Sequence, residues 1–146
     1  MSDQTTVRTG TRLSDRLAAI VEALPLEPGM RVLEIGGAPG TAAKVAARRI
    51  GDGHILVIDR SARGVALTER NAAAEIAAGV LSVRQVAIED FELLPGEPPF
   101  DLAFANRVGA LDGRHPRAGV RARQRIAAAL TPTGQLFVDG RRSAVQ

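Results

Sequence analysis

Apolar residues recur along this chain with two spacings, one typical of helices and the other typical of buried strands. Apolar positions three or four residues apart predict amphipathic helices, and short continuous apolar runs predict strands that are buried on both faces. The predicted helices are Thr11–Leu24, Thr41–Ile50, Ser61–Ala78 and Pro116–Leu130. The predicted strands are Val32–Ile35, His54–Ile58, Val80–Val86, Phe100–Ala105 and Gln135–Val138.

This alternation of strands and helices predicts an α/β fold with a parallel sheet. A length of 146 residues predicts one domain over residues 11–146, after a flexible polar segment at residues 1–10. In the last helix, Val120, Ala127 and Leu130 are expected to face the core. Because only Gly140–Gln146 follow the last strand, we expect that strand to be an apolar edge, which a second copy or a partner chain would cover.

A glycine-rich turn joins the first predicted strand to its helix, and an acid follows the second strand. Glycines at this turn allow a sharp bend and leave room for a ligand against the main chain. Asp59 comes at the carboxyl end of the second strand, where its carboxylate suits two vicinal ribose hydroxyls. Arg60 beside it would instead suit a 2′-phosphate, and the simplest alternative for both residues is an exposed loop. The pattern predicts a nucleotide-like ligand.

Residues 32–40, Val-Leu-Glu-Ile-Gly-Gly-Ala-Pro-Gly, resemble the first motif of the class I S-adenosylmethionine-dependent methyltransferases. That motif is an apolar strand with an acid, followed by Gly-x-Gly-x-Gly, whose middle glycine is Ala38 here. The dinucleotide pattern G-x-G-x-x-G fits worse, because it requires glycine at Ala38 and Thr41. The resemblance implies a Rossmann-like doubly wound sheet of order 3-2-1-4-5 with helices on both faces, in a C-terminally short member of the family. It also implies S-adenosyl-L-methionine as the cofactor.

The resemblance places the cofactor against the glycine turn and the loops that follow the strands. It implies that Glu34 supports the glycine loop and the amino-acid end of the cofactor, although an outward-facing strand residue fits Glu34 equally well. In the loop after the third strand the family's aspartate falls on Ala87. Ile88 would still pack on the adenine, and either Glu89 or Asp90 would replace the missing acid. The residues implied to bind the cofactor are Glu34, Gly36, Gly37, Ala38, Gly40, Asp59, Arg60, Ile88, Glu89 and Asn106.

Two residues are candidates for the chemical step. Asn106 directly follows the fourth strand, at the position that faces the methyl donor and the acceptor in the resembling family. Asn106-Arg107-Val108 lacks the prolines and the aromatic residue typical of base-methylating enzymes. His115 follows in the next loop, and its neutral imidazole would accept a proton from an acceptor hydroxyl or amine, although a lone loop histidine is more often only solvent-exposed. Four arginines on either side of His115 lie at helical spacing and are expected to form a solvated stripe, with binding of an acidic substrate as the alternative: Arg114, Arg117, Arg121 and Arg125.

Composition narrows the classes of partner. The chain has no cysteine, and therefore no disulfide framework or thiolate metal site, and we predict no metal. The net charge is +3, but tryptophan and tyrosine are absent, which argues against base stacking and nucleic-acid binding. The N-terminus lacks the pattern of a signal peptide and no apolar run is long enough to span a bilayer, so we expect a cytoplasmic protein without membrane contact.

The sequence therefore predicts a methyltransferase that acts on a small-molecule acceptor and forms a homodimer or pairs with a partner chain. One alternative is a protein that binds S-adenosylmethionine or a related nucleoside without transferring the methyl group. Two features favour this alternative: Ala87 stands where the family has an aspartate, and the loop at Asn106 lacks the prolines and the aromatic residue of base-methylating enzymes. A third reading, a fragment of an NAD(P) dehydrogenase, is disfavoured by the spacing of the glycines.

Overall fold

A computed structural model describes residues 15–145 of the chain. The strands in this range are β1 (Arg31–Ile35), β2 (His54–Asp59), β3 (Leu81–Gln85), β4 (Phe100–Ala105), β5 (Leu130–Val138) and β6 (Arg141–Ser143). The helices are α1 (residues 15–22), α2 (Thr41–Arg49), α3 (Ala62–Asn71), α4 (Ala73–Ala77) and α5 (Pro116–Ala129), and a 3-10 turn spans Ile88–Asp90. The segment predicted to be flexible, residues 1–10, and the predicted start of the first helix, residues 11–14, lie outside the described range.

The strands of the described range form one sheet in the order β3-β2-β1-β4-β5-β6. Strands β1 to β5 pair in parallel, and β6 pairs antiparallel to β5. The order 3-2-1-4-5 that was expected from the family is confirmed. The chain first builds outward from β1 through β2 to β3 and then crosses to β4 on the other side. Such a reversal opens a crevice at the carboxyl ends of β1 and β4, which is the usual ligand position in this architecture.

Buried side chains cover both faces of the sheet, as the continuous apolar strands predicted. Successive residues of a strand point to opposite faces. Val32 belongs to the cluster that packs with α1 and α2, and Leu33 belongs to the cluster that packs with α5. Helix α2 contributes only alanines to the buried face, and these small side chains let it lie close on the sheet. The fold is therefore doubly wound, with helices on both faces.

Two helix predictions need correction. The predicted helix Ser61–Ala78 begins as expected, because the Ser61 hydroxyl accepts a hydrogen bond from the Gly64 N–H at 3.1 Å, but it breaks into α3 and α4 at Ala72. Val120 is wrong as a core residue, since 62% of it is exposed. The buried face of α5 is made by Gly119, Ala122, Ile126 and Ala129 instead. None of the helices within residues 15–145 has the length and apolar character needed to cross a bilayer.

The expectation that the fifth strand is an open edge is wrong. Strand β5 runs back to Leu130 through a register shift, and β6 pairs with its far side from Leu136↔Ser143 to Val138↔Arg141. The reversal takes two residues, Asp139 and Gly140, which both have positive φ, at 51° and 81°. Such a two-residue turn suits the twist of a hairpin and needs no crossover. The apolar part of β5 therefore has a strand on each side.

Candidate functional site

Two cavities lie at the carboxyl ends of the strands, and they meet at Gly36 and Arg107. The larger cavity, of about 910 Å³, lies between the ends of β1 and β2, residues 86–89 and residues 107–118. The smaller cavity, of about 550 Å³, lies between α1, the glycine turn and the ends of β4 and β5. A ligand that follows the crevice would occupy both cavities and pass beside Gly36.

The glycine turn is held close to β2 and α3. Gly36 has φ at 67°, and its N–H donates to the Ile58 carbonyl at 2.8 Å. A Cβ at Gly37 would lie 2.6 Å from the Glu34 Cδ, so the turn packs directly on that carboxyl group. Gly40 has φ at 98°, and a Cβ there would lie 3.0 Å from the Thr68 Cγ2 on α3. The backbone of this turn therefore requires glycine at Gly36 and Gly40.

Asp59 ties the turn to the start of α3. Its Oδ2 accepts a hydrogen bond from the Ala38 N–H at 3.3 Å, and its Oδ1 accepts one from the Ser61 N–H at 3.0 Å. These two bonds fix the carboxylate at the wall of the larger cavity. Each carboxylate oxygen has further lone pairs, so Asp59 can still accept hydrogen bonds from a ligand.

Glu34 is a buried carboxyl group on the wall of the smaller cavity. Only 4% of the residue is exposed, and its Oε1 has no hydrogen-bond partner among the described residues. Burial, reinforced by the negative charge of Asp59, raises the pKa of Glu34 to about 8. A buried polar atom without a partner costs about 1–3 kcal/mol. The site thus holds an acid that a cationic group in the smaller cavity would stabilise.

Asn106 is a second polar side chain without a partner on the same cavity. Its Oδ1 and Nδ2 are both buried, and neither has a hydrogen-bond partner within residues 15–145. An amide can accept and donate, so Asn106 can bind either a cationic or an anionic group of a ligand. With Glu34, it makes the smaller cavity suited to a zwitterionic ligand end.

Three further predicted residues line the larger cavity: Arg60 follows β2, and Ile88 and Glu89 lie in the loop after β3. Ile88 is 3% exposed and forms part of the core, so it offers an apolar surface. The Glu89 carbonyl accepts a hydrogen bond from the Arg121 Nε at 2.8 Å, which holds this loop against α5. Arg121 and Arg125 are therefore not a purely solvated stripe, since Arg125 also pairs with Glu92 at 2.6 Å.

The structure does not bring all the predicted residues together. Gly40 lines neither cavity, and its missing side chain makes room for α3 instead. Asn106 lines the smaller cavity, whereas His115, exposed at the N-cap of α5, lines the larger one. Among the described residues, no carboxylate binds the His115 ring. The two candidates for the chemical step therefore lie on different cavities.

Arg16 and Arg107 were missed by the sequence analysis. Arg16 lies on α1 and lines the smaller cavity, and Arg107 lines both cavities. The sequence did contain a signal for Arg107, since it directly follows Asn106 at the carboxyl end of β4. For Arg16 no such signal exists, because its approach to the cavity depends on how α1 packs.

A family described as "Methyltransferase domain" matches residues 32–134, which is more than half of the chain. No curated protein matches. Many solved structures do. The YcgJ protein from Bacillus subtilis is 17% identical, with a TM-score of 0.69, 85% of this chain covered and 49% of the other. An S-adenosylmethionine-dependent methyltransferase from Thiobacillus denitrificans, solved with S-adenosyl-L-homocysteine, is 22% identical, with a TM-score of 0.65. The match covers 85% of this chain and 47% of the other.

The [4+2]-cyclase SpnF is similar too, with 27% identity, a TM-score of 0.67, 87% of this chain covered and 43% of the other. The chain thus spans half or less of the length of these three structures. The family match covers β1 to the bulged part of β5 and includes the glycine turn, Asp59 and the loop after β4. The chain belongs to the methyltransferase-domain family and has the fold of the class I S-adenosylmethionine-dependent methyltransferases.

Proposed function

We propose that this chain binds S-adenosylmethionine across the two cavities and transfers its methyl group to a small-molecule acceptor. The observation that carries the proposal is the pair of buried, unpartnered side chains on the smaller cavity, Glu34 and Asn106. Their polar atoms lie beside the glycine turn, on the opposite side of Gly36 from Asp59. This arrangement matches a ligand that has a charged amino-acid group at one end and a ribose at the other.

The smaller cavity fits the amino-acid end of the cofactor. An ammonium group beside Glu34 would stabilise the ionised carboxylate and satisfy its unpartnered Oε1. Asn106 can donate to the carboxylate of the same group, and Arg16 on α1 adds a positive charge to that cavity. These three side chains would orient the ligand from its charged end.

The larger cavity fits the nucleoside end. The Asp59 carboxylate is already oriented by two backbone N–H groups, and its remaining lone pairs can accept two vicinal hydroxyls. Ile88 offers an apolar surface for a purine ring. Ala87 stands where the resembling family has an acid, and Glu89 on the same wall can accept from an exocyclic amine.

When bound, S-adenosylmethionine supplies an electrophilic methyl group on a sulfonium. The contribution of the protein to such a transfer is mainly positioning and exclusion of water. Asn106 and Arg107 directly follow β4, with Asn106 on the smaller cavity and Arg107 where the two cavities meet, so they are placed to orient the acceptor. His115 is our candidate for removing a proton from an acceptor hydroxyl or amine.

We propose a small-molecule acceptor because the volumes of the two cavities lie within the range of small-molecule sites, about 300–1,000 Å³. The absence of tryptophan and tyrosine disfavours stacked nucleic-acid bases. Pairing with a second copy stays a prediction. The edge available to it is now β6, where Arg141 and Arg142 are exposed, and light scattering of the purified protein would test it.

A second candidate function is cofactor binding without methyl transfer. A [4+2]-cyclase shares this fold at 27% identity, so the fold also occurs in an enzyme named for a different reaction. The exposed position of His115, with no carboxylate bound to its ring in the described part of the chain, also favours this candidate.

Transfer of a labelled methyl group from S-adenosylmethionine to a panel of small alcohols, amines and acids tests the main proposal. We expect label in at least one product with the wild type and a large loss with Asp59→Asn. A folded protein that binds S-adenosylhomocysteine but labels no acceptor would contradict transfer and favour the second candidate.

A further inference from the structure

Arg107 has an unusual backbone conformation at the junction of the two cavities. Its φ is 57°, a region that residues other than glycine rarely adopt. The Arg107 N–H donates to the Asp139 Oδ1 at 2.8 Å, and the Asp139 N–H donates to the Ala105 carbonyl at 2.8 Å. The β5–β6 turn therefore holds Arg107 in place. Backbone strain that is held by surrounding contacts is typical of functional positions.

The guanidinium group of Arg107 has no acceptor among the described residues, and the same is true of Arg117 at the start of α5. Both arginines line the larger cavity. The arginines further along α5 differ, because each of them is bonded to a neighbouring segment. Arg121 binds the Glu89 carbonyl, Arg123 binds the Leu111 carbonyl, and Arg125 binds the Glu92 carboxylate.

The charge of the larger cavity is positive on the side of the β4–α5 loop. Arg114 also lies there, but it is used internally, because its Nε donates to Asp112 and its Nη2 donates to the Arg107 carbonyl. The acids of this cavity, Asp59 and Glu89, follow β2 and β3, and the proposed function assigns them to the nucleoside. On the side of the β4–α5 loop, Arg107 and Arg117 are therefore the arginines available to a ligand that binds beside the cofactor. Arg60 also lines this cavity, but it follows β2 beside Asp59, at the end assigned to the nucleoside.

We propose that the methyl acceptor carries an oxyanion, a carboxylate or a phosphate, and that Arg107 binds it with help from Arg117. This inference rests on the proposed function. Arginine forks match the geometry of both oxyanions and form the stronger, charge-assisted hydrogen bonds. An oxyanion held at Arg107 would fix the acceptor at the junction of the cavities, next to Asn106.

A titration of the protein loaded with S-adenosylhomocysteine tests the inference. The probes are inorganic phosphate in one arm and acetate in the other, at an ionic strength held constant with sodium chloride. The readout is the backbone amide shifts of residues 107–115, 117 and 118 in nuclear magnetic resonance spectra, since Pro116 has no N–H. We expect saturable shifts with at least one probe, and the probe that binds more tightly identifies the class of oxyanion.

Arg107→Gln is expected to weaken that binding by about tenfold, the effect of losing one charge-assisted bond. Arg70→Gln is the matched control, because it removes the same charge from an exposed position on α3 outside both cavities, and we expect it to leave binding unchanged. Arg117→Gln is the second variant should Arg107→Gln not fold, and it is expected to weaken binding by a smaller factor.

Loss of saturable shifts with both probes would overturn the inference, and so would equal effects of Arg107→Gln and Arg70→Gln. If Arg107→Gln instead abolishes the binding of S-adenosylhomocysteine while phosphate and acetate leave the wild type unshifted, Arg107 holds the cofactor and the inference is wrong. If the proposed function itself is wrong, a different result is expected. In that case the wild type does not bind S-adenosylhomocysteine at all, whatever the oxyanions do.

Discussion

The Asp59 Oδ2 accepts a hydrogen bond from the Ala38 N–H at 3.3 Å, which joins the end of β2 to the glycine turn after β1. Asp59 thus has two roles, since it shapes the turn and also faces the larger cavity. The same carboxylate contributes to the raised pKa of Glu34 on the other side of the turn. A change at Asp59 is therefore expected to affect both the glycine turn and the pKa of Glu34.

Replacing Asp59 by alanine should therefore affect the free protein as well as the complex. The N–H groups of Ala38 and Ser61 lose their acceptor, which we expect to cost about 1 kcal/mol, because the site is partly open to water. Urea unfolding of the free protein measures this cost. Asp59→Asn is the control, since it keeps one acceptor oxygen and should lose less stability. Free-protein stability that is unchanged in Asp59→Ala would show that these hydrogen bonds do not support the turn.

Glu34 makes the stability of the free protein dependent on pH. Its folded pKa of about 8 lies above the ordinary value of 4.5, so the folded state holds a proton that the unfolded chain releases. The stability is fully present below about 4.5 and falls as the pH rises toward about 8, by up to about 1.4 kcal/mol per pH unit. Urea unfolding across this window should show the fall in the wild type.

Glu34→Gln has no titratable group at this position and should remove that part of the pH dependence. The variant should gain stability relative to the wild type as the pH rises through the window. Parallel curves for the two proteins would contradict the raised pKa. S-Adenosylhomocysteine is expected to stabilise the variant less than the wild type, because the neutral amide attracts its ammonium group more weakly.

Gly40→Val should destabilise the free protein and not merely block a ligand. Any side chain at Gly40 meets the strain of φ at 98°, and its Cβ would lie 3.0 Å from the Thr68 Cγ2. Gly79→Val is the matched control, because Gly79 has φ at 82° but no atom within 4 Å of the added Cβ. We expect the control to lose about 1–2 kcal/mol from backbone strain and Gly40→Val to lose more. Equal losses would show that α3 moves aside without cost.

Asp139→Ala should loosen the β5–β6 turn and the conformation of Arg107 together. Alanine cannot accept the hydrogen bond from the Arg107 N–H and is less well tolerated at φ of 51°. A loss of about 1–2 kcal/mol in thermal or urea unfolding is expected. Asp139→Asn, which keeps an acceptor and tolerates positive φ, should retain most of the stability. If alanine is as stable as asparagine here, Asp139 does not hold Arg107.

The β1–β2 unit could be predicted from the sequence because local rules decide it. Apolar strands, a glycine turn that requires positive φ, and an acid at the end of β2 are all encoded within residues 31–59. Strand β6 was missed, although Asp139-Gly140 is a two-residue hairpin signal that could have revealed it. A parallel strand after β5 would require a long crossover connection, whereas an antiparallel hairpin requires only these two residues.

Other features depend on tertiary packing that no local pattern specifies. Val120 was expected to face the core, but Gly119 faces inward instead, and a Cβ there would lie 2.7 Å from the Ala110 carbonyl oxygen. The close approach of the loop before α5 decides which face is buried. The missing partners of Glu34 and Asn106 likewise become visible only when β1, β4 and the glycine turn are placed together.

The central claim is that the two cavities form a site for S-adenosylmethionine, and calorimetric titration with S-adenosylhomocysteine tests it most directly. We expect saturable binding at one site, weakened at least about tenfold by Asp59→Asn. At 100-fold its dissociation constant, the ligand should stabilise the wild type by about 2.7 kcal/mol. A folded wild type that shows no heat of binding and no thermal shift with S-adenosylhomocysteine, or that binds NADPH in its place, would contradict the account.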